Sequence, residues 1–210
     1  MSKNFASLIF HESTAAFSSS YQALLVPGLL QTEDYAAALI AQERLEPTTA
    51  KFRVGVRLMR QERLHNQPNE FFIHEQALRL PVGGNRVMNE QMLKLLLLSD
   101  QPGITIRVVP TRLGERAMFG GGFTHFRFTG GGPLVCQDLV PICLFIEDRD
   151  YVTRYHGLLA DMSEVALGRE QSREVLAELA SEFDQPKDAP DDPDRVAEEQ
   201  LERKLWDGMH

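Results

Sequence analysis

Long apolar runs are missing from this chain. No stretch approaches the roughly 20 apolar residues that a helix needs to span a bilayer, so no membrane segment is expected. The first residues, MSKNFASLIFHESTAAF, hold only a short apolar patch and an early Glu12, unlike a secretory leader. Cysteine is scarce as well. Cys136 and Cys143 are the only two, in apolar surroundings and without CxxC or His-rich spacing. That pattern suits small core residues in a reducing compartment rather than a disulfide or a metal site. Together these absences imply a cytoplasmic protein without a metal. Basic residues are outnumbered: 22 Lys and Arg stand against 30 Asp and Glu, a net charge of −8. The chain therefore lacks the electrostatic term that dominates nucleic-acid affinity, and no helix-turn-helix pattern precedes residue 25. The glycines at 120–122 and 130–132 are not followed by a helix carrying Lys and Ser/Thr, so they make no phosphate cradle. A serine nucleophile elbow and an HExxH are missing too. No cofactor is expected.

What remains is enough for one folded body. Apolar and charged fractions of 43% and 25% are those of a globular protein, and 210 residues can bury one good core. The charge divides the chain, because five of the eight net negative charges fall between Asp184 and His210. DQPKDAPDDPD (184–194) has the composition of a solvated linker, and Arg195 to Trp206 has helical charge spacing. The expected organisation is a single domain over 1–183 and an acidic linker with a short tail helix over 184–210.

Periodicity predicts helices over 4–17, 32–44, 48–66, 85–99, 150–167 and 169–183, and one helical turn over 76–80. SSS at 18–20 reads as a break after the first helix. Strands are expected at FFIHE (71–75), GITIRVVP (103–110), FTHFRF (123–128) and LVCQDL (134–139), with a short extended piece at 142–146. Helices first, strands next and helices last argue for an α+β fold. The expected sheet is small and mostly antiparallel, of three to five strands, with helices at both chain ends.

The stretch LLVPGLLQTEDYAAALIAQ, from Leu24 to Gln42, places a Pro-Gly bend between an apolar run, Leu24 to Val26, and two more leucines before a helix. Pro27 fixes φ and Gly28 tolerates positive φ, so the pair reads as a turn. Thr32 is a good N-cap, and Glu33 and Asp34 suit the positive end of the helix dipole. The bend is expected to aim the Tyr35 helix over one wall of a space behind the arginine-bearing helix that follows.

PGLLQTEDYAAAL, the Arg57-Leu-Met-Arg60-Gln61 run, FFIHEQALRLPVGG, VMNEQM, ITIRVVP and YVTRYHGLLADMSEVAL occur in this order. Together they resemble the C-terminal domain of unknown function of actinobacterial XRE-type, antitoxin-like transcriptional regulators, over about residues 12–183. The resemblance implies a sensing or partner-binding half. In that family it usually follows a helix-turn-helix and often works beside a small acidic partner protein. Here only some two dozen residues precede PGLLQT, so the expected form is a freestanding domain without the DNA reader. The acidic tail from 184 onward is outside the family pattern. Asp138, after Cys136-Gln137, stands where the family usually carries Glu.

Two functions are weighed. The first is a binding module for a small-molecule ligand or a small partner protein, with Tyr35, Arg57, Arg60, Gln61 and Phe123 facing the ligand. It would bind no nucleic acid and can form a homodimer. The second is a cofactor-independent biosynthetic enzyme of secondary metabolism, of cyclase or isomerase type, with Glu75, His125 and Asp138 as the acid–base candidates. By strand alternation Glu75 shares a face with Phe71 and Ile73, and a carboxylate there needs a partner, for which Arg57 or Arg60 is the expected cation. His125 becomes an acid–base candidate if it faces Glu75 or Asp138; otherwise it is an exposed or satisfied strand residue. His156 is expected at the surface, and 112–122 as a lid over a cavity.

Overall fold

The computed structural model describes residues 3–117, 119–139 and 142–185. Seven helices and six strands lie in this span: α1 (Lys3–Thr14), β1 (Phe17–Gln22), α2 (Glu33–Ala41), α3 (Pro47–Gln61), β2 (Asn69–His74), α4 (Glu75–Arg79), α5 (Asn85–Ser99), β3 (Ile104–Val109), β4 (Phe123–Arg127), β5 (Leu134–Leu139), β6 (Ile142–Ile146), α6 (Arg149–Val165) and α7 (Arg169–Asp184). The architecture is α+β with helices at both ends. The tail helix expected at 195–206 lies outside the described residues.

The sheet departs from expectation in size and in direction. Six strands run in the order β3-β2-β1-β4-β5-β6. β1 pairs parallel with β2, and β2 parallel with β3, whereas β4, β5 and β6 continue antiparallel from the other side of β1. The difference comes from one segment. FSSSYQ, which reads as an interruption after α1, is the central strand. Its serines are not the β-branched or aromatic residues that mark strands, and both faces are buried, so no alternation shows. With β1 in place, the helical segments α2–α3 and α4–α5 become the crossovers that parallel neighbours require.

Alternation along the strands splits the side chains between two faces. On one face Phe71, Ile73, Ile104, Ile106 and Val108 pack under α5 and α7. Farther along this face Leu8 and Ala15 close over Phe126, Leu134, Cys136 and Cys143. The opposite face gathers Tyr21, Phe72, Val109, Phe123 and Val135 beneath Val152, Leu159 and Met162 of α6. Ala117 and the partly buried Leu113 join this second face, and the Tyr21 hydroxyl donates to Ala117 O at 3.3 Å. The 3-10 segment Thr111–Ala117 therefore packs on the α6 side and is not a lid over the other face.

β3 is an edge strand, and a bare edge invites pairing with another chain. The turn between α6 and α7 covers it. Leu167 N donates to Val108 O at 2.8 Å, and Val108 N donates to Ser172 Oγ at 3.0 Å. Ser172 is fully buried, so Ser172→Ala strands the Val108 N–H without an acceptor. That substitution is expected to lower the unfolding free energy by about 1–3 kcal/mol in urea melts; an unchanged midpoint would show that this edge needs no side-chain acceptor.

Candidate functional site

Between the two apolar clusters of the α5 face the sheet is polar. β1 presents Ser18 and Ser20 there, and register carries two rows across the strands. One row runs Phe71, Ser20, Thr124, Cys136; the other runs Asn69, Ser18, Phe126. These rows floor a cavity of about 370 Å³. Leu8 and Glu12 of α1 form one wall, Leu39 and Ile40 of α2 another, and Arg57 and Arg60 of α3 a third. The Pro27-Gly28 bend closes the remainder, from Leu25 to Gln31.

The bend holds one 3-10 turn, Gly28–Leu30, with Leu30 N donating to Pro27 O at 2.8 Å, and its other buried polar groups need partners. Side chains supply them. Val26 N donates to the Tyr35 hydroxyl at 3.2 Å, and Val26 O accepts from Gln31 Nε2 at 2.7 Å. Gln91 serves two groups at once: its Oε1 accepts from Thr32 N at 2.8 Å, and its Nε2 donates to Leu30 O at 2.9 Å. Gln31 O accepts from Gln61 Nε2 and from Lys94 Nζ, both at 2.7 Å, and Lys94 also donates to Gln61 Oε1. Thr32 caps α2 by accepting from Tyr35 N at 3.2 Å. Burial pushes the Tyr35 phenol above its usual range, against the Val26 N–H and the Arg57 charge, and burial pulls Lys94 below its usual value.

Arg57 and Arg60 face the same cavity with different duties. Arg57 Nη1 donates to Gln31 Oε1 at 2.9 Å, bracing the bend. Arg60 grips Glu12 through two bonds, Nε to Oε2 at 2.9 Å and Nη2 to Oε1 at 2.5 Å, a bidentate pair that fastens α1 to α3. Arg63 Nη1 adds a bond to Ile9 O at 2.8 Å. The buried carboxylate that sequence reasoning expected beside Arg57 or Arg60 is present, but it is Glu12.

Glu75 sits elsewhere. β2 ends at His74, so strand alternation no longer governs the next residue, which opens α4. Glu75 accepts from Arg79 Nε at 2.9 Å and from Thr111 N at 3.0 Å, and Arg79 continues to Glu182. Burial opposes ionisation of Glu75, yet the Thr111 N–H and the Arg79 guanidinium outweigh it and hold the carboxyl below its ordinary value. This network ties α4 to α7 and to the end of β3, away from the cavity.

His125 and Phe123 point to the α6 face. The Phe123 ring packs against Tyr155 at 4.7 Å and against Tyr21 at 6.3 Å, so Phe123 only borders the cavity. His125 is buried, with the exposed His156 ring 5.9 Å away. In register His125 aligns with Ser19 and then with Glu70, and Glu75 begins five residues farther along, about 16 Å at strand rise. The two acid–base candidates therefore do not meet. Asp138 stands opposite Cys143 in the β5–β6 register, and its side chain lies outside the described residues. Of the expected ligand-facing residues, Arg57 and Arg60 line the cavity, whereas Tyr35 and Gln61 bond to the backbone of the bend and do not line it. Ser18, Ser20, Gln31 and Glu12 were missed. Gln31 had a signal, since it lies inside the PGLLQT motif; the serines had none in periodicity.

Ser20 is the one buried polar side chain among the described residues whose atom finds no hydrogen-bond partner. It is 4% exposed, and it sits in the middle of the cavity floor. Its neighbour Ser18, by contrast, donates to Asn69 Oδ1 at 2.7 Å.

The chain belongs to a family of proteins. The family model described as "Domain of unknown function (DUF5753)" matches residues 5–178, which include every element that builds the cavity. No curated protein and no solved structure matches the chain.

Two outcomes follow from this geometry. Gln91→Leu leaves Leu30 O and Thr32 N without partners, and a stability loss of about 3 kcal/mol is expected from denaturant melts; a loss under about 0.5 kcal/mol would show that the bend holds itself. The second concerns His125, whose pKa falls from 6.5 to about 4, chiefly through burial and then through the His156 and Arg127 charges. The unfolded chain binds a proton first as pH drops, so this histidine's contribution is present above about pH 6.5 and is lost towards pH 4. Relative to His125→Asn, the wild type is expected to lose about 2 kcal/mol between pH 7.5 and 5.0; parallel pH curves would rule this out.

Proposed function

We propose that this chain is a cytoplasmic small-molecule-binding domain, related to the effector half of actinobacterial XRE-type helix-turn-helix regulators and not itself a DNA reader. One observation carries the reading: the buried Ser20 hydroxyl has no hydrogen-bond partner among the described residues, and Ser20 lines a cavity walled by the PGLLQT bend. An unmatched buried hydroxyl costs about 1–3 kcal/mol, and a site that receives a polar ligand group has reason to keep one. A cavity of about 370 Å³ falls within the range of small-ligand sites, about 300–1,000 Å³. The net charge of −8 supports the exclusion of nucleic acid. The acid–base enzyme reading draws no support from the cavity, because neither Glu75 nor His125 lines it.

The test is native mass spectrometry of the protein mixed with the small-molecule fraction, below about 500 Da, of its source cells. A one-to-one adduct is expected with the wild type. It is expected to vanish in Ser20→Leu, which fills the floor while adding no charge. A wild type that takes up nothing from that fraction overturns the reading, as does an adduct that persists unchanged in Ser20→Leu.

A further inference from the structure

The floor of the cavity narrows the ligand. We infer that the group entering deepest is an uncharged amide-like edge, a donor beside an acceptor, carried on an apolar body and received by Ser20, Thr124 and Gln22. This inference rests on the ligand-binding reading above and names the chemical class that the site takes.

Register is the first argument. Ser18, Ser20 and Gln22 alternate along β1 onto the cavity face, each about 7 Å from the next at strand rise. Antiparallel pairing sets Thr124 of β4 directly opposite Ser20, and Cβ atoms of such partners stand about 5 Å apart. Ser20, Gln22 and Thr124 all line the cavity. A Cβ at Gly122 would collide with the Gln22 amide, so this glycine leaves the amide its place at the β4 side of the floor.

Unused hydrogen-bonding capacity is the second argument. Buried polar side-chain atoms nearly always have partners, and Ser18 has one in Asn69. Ser20 Oγ has none among the described residues, on a residue only 4% exposed. No hydrogen bond joins the Thr124 hydroxyl or the Gln22 amide to another described residue either. These two side chains are half-buried, so the cavity reaches them. Two hydroxyls and a carboxamide each donate and accept. A ligand edge that does both satisfies all three, whereas an edge of acceptors alone or donors alone leaves part of this capacity unmet.

The neutrality of the floor is the third. The strand residues that line the cavity include no Asp, Glu, Lys, Arg or His; the charged side chains of the lining come from the helices and the segments that join them. A carboxylate or an ammonium set down on the floor would lose its water with no countercharge on the strands beneath it. A neutral amide loses far less and finds bonds there. Phe71 stands beside Ser20 in register, and Phe126 beside Ser18, so apolar rings frame the polar patch and suit an aromatic or alicyclic body.

Three naphthalenes that differ only in the head group test the assignment on the intact protein, with affinities read by ligand-observed NMR titration. They are naphthalene-2-carboxamide, naphthalene-2-carboxylate and 2-naphthylmethylammonium. The amide is expected to bind one-to-one and at least about tenfold more tightly than either ion. Thr124→Val and Gln22→Leu, close in shape to the wild type, are each expected to weaken the amide about three- to tenfold and to move the ions by less than about twofold. Ser20→Leu is expected to abolish binding; the wild-type comparison and the two milder variants stand even if it fails to fold. An ion that binds as tightly as the amide overturns the neutral-edge assignment, and if that binding is lost in Ser20→Leu, ligand binding at this cavity is intact. An amide preference unmoved by both Thr124→Val and Gln22→Leu overturns the placement of the edge on the floor. Binding of no probe overturns the assignment as a whole; the cell-extract experiment then decides the broader reading separately.

Discussion

The Pro27-Gly28 bend, a single 3-10 turn at Gly28–Leu30 between extended residues, lies between the sheet and three helices, and the site is arranged around its hydrogen-bond demand. Peptide groups away from water need partners, and the Val26–Thr32 bend finds them in side chains from α2, α3 and α5. Gln31, Gln61, Gln91 and Tyr35 are long, neutral and polar, so they reach backbone groups without placing a bare charge in the interior. Lys94 is the exception, and its ammonium donates to Gln31 O and to Gln61 Oε1. A bend fixed in this way is a rigid wall, because moving it would break bonds in several directions at once.

That wall explains the otherwise odd composition of the central strand. A strand buried on both faces normally reads as an unbroken apolar run. β1 instead carries three serines, and two of them face the cavity. An apolar β1 would fill or dry the space that the bend keeps open. On the other face the strand is ordinary: Tyr21 joins Phe72 and Phe123 in the core under α6. The two faces of one strand thus do different work.

The contrast also sets what could be read from the sequence. Elements with a strong period were legible: α5 matches its expected span from Asn85 to Ser99, and β5 its span from Leu134 to Leu139. Thr32 was legible as a cap because capping is local chemistry. β1 was not, since its identity depends on neighbours 51 and more residues away, such as the Asn69 that accepts from Ser18. Missing β1 hid the parallel half of the sheet and the floor of the cavity together. Glu75 failed for a different reason. The alternation argument was valid as far as His74, and one residue later the chain turned into α4. A one-residue boundary shift moves a side chain to another face. Helical spacing put Arg57 and Arg60 on one side of α3, and it is the fold that turns that side to the cavity and supplies Glu12 as the partner of Arg60.

The Glu12–Arg60 pair settles how the cavity is closed. α1 meets the rest of the protein through apolar contacts near β6 and through polar bonds to the segment after α3, where Gln67 and Arg63 reach Glu12 O and Ile9 O. A buried ion pair contributes little net stability over an apolar pair of equal size, yet breaking one side is costly. Its value here is geometric. Two parallel bonds hold α1 in one rotational setting, which directs Leu8 inward and leaves Phe10 60% exposed. The guanidinium so occupied still contributes its charge to the lining, balanced by Glu12 at the same wall. Arg57 and Arg63 bring further guanidinium groups to the cavity, while the α1 side carries Leu8 and the Glu12 carboxylate that Arg60 neutralises. The pair thus closes that side of the cavity in a fixed geometry while adding no net charge to it.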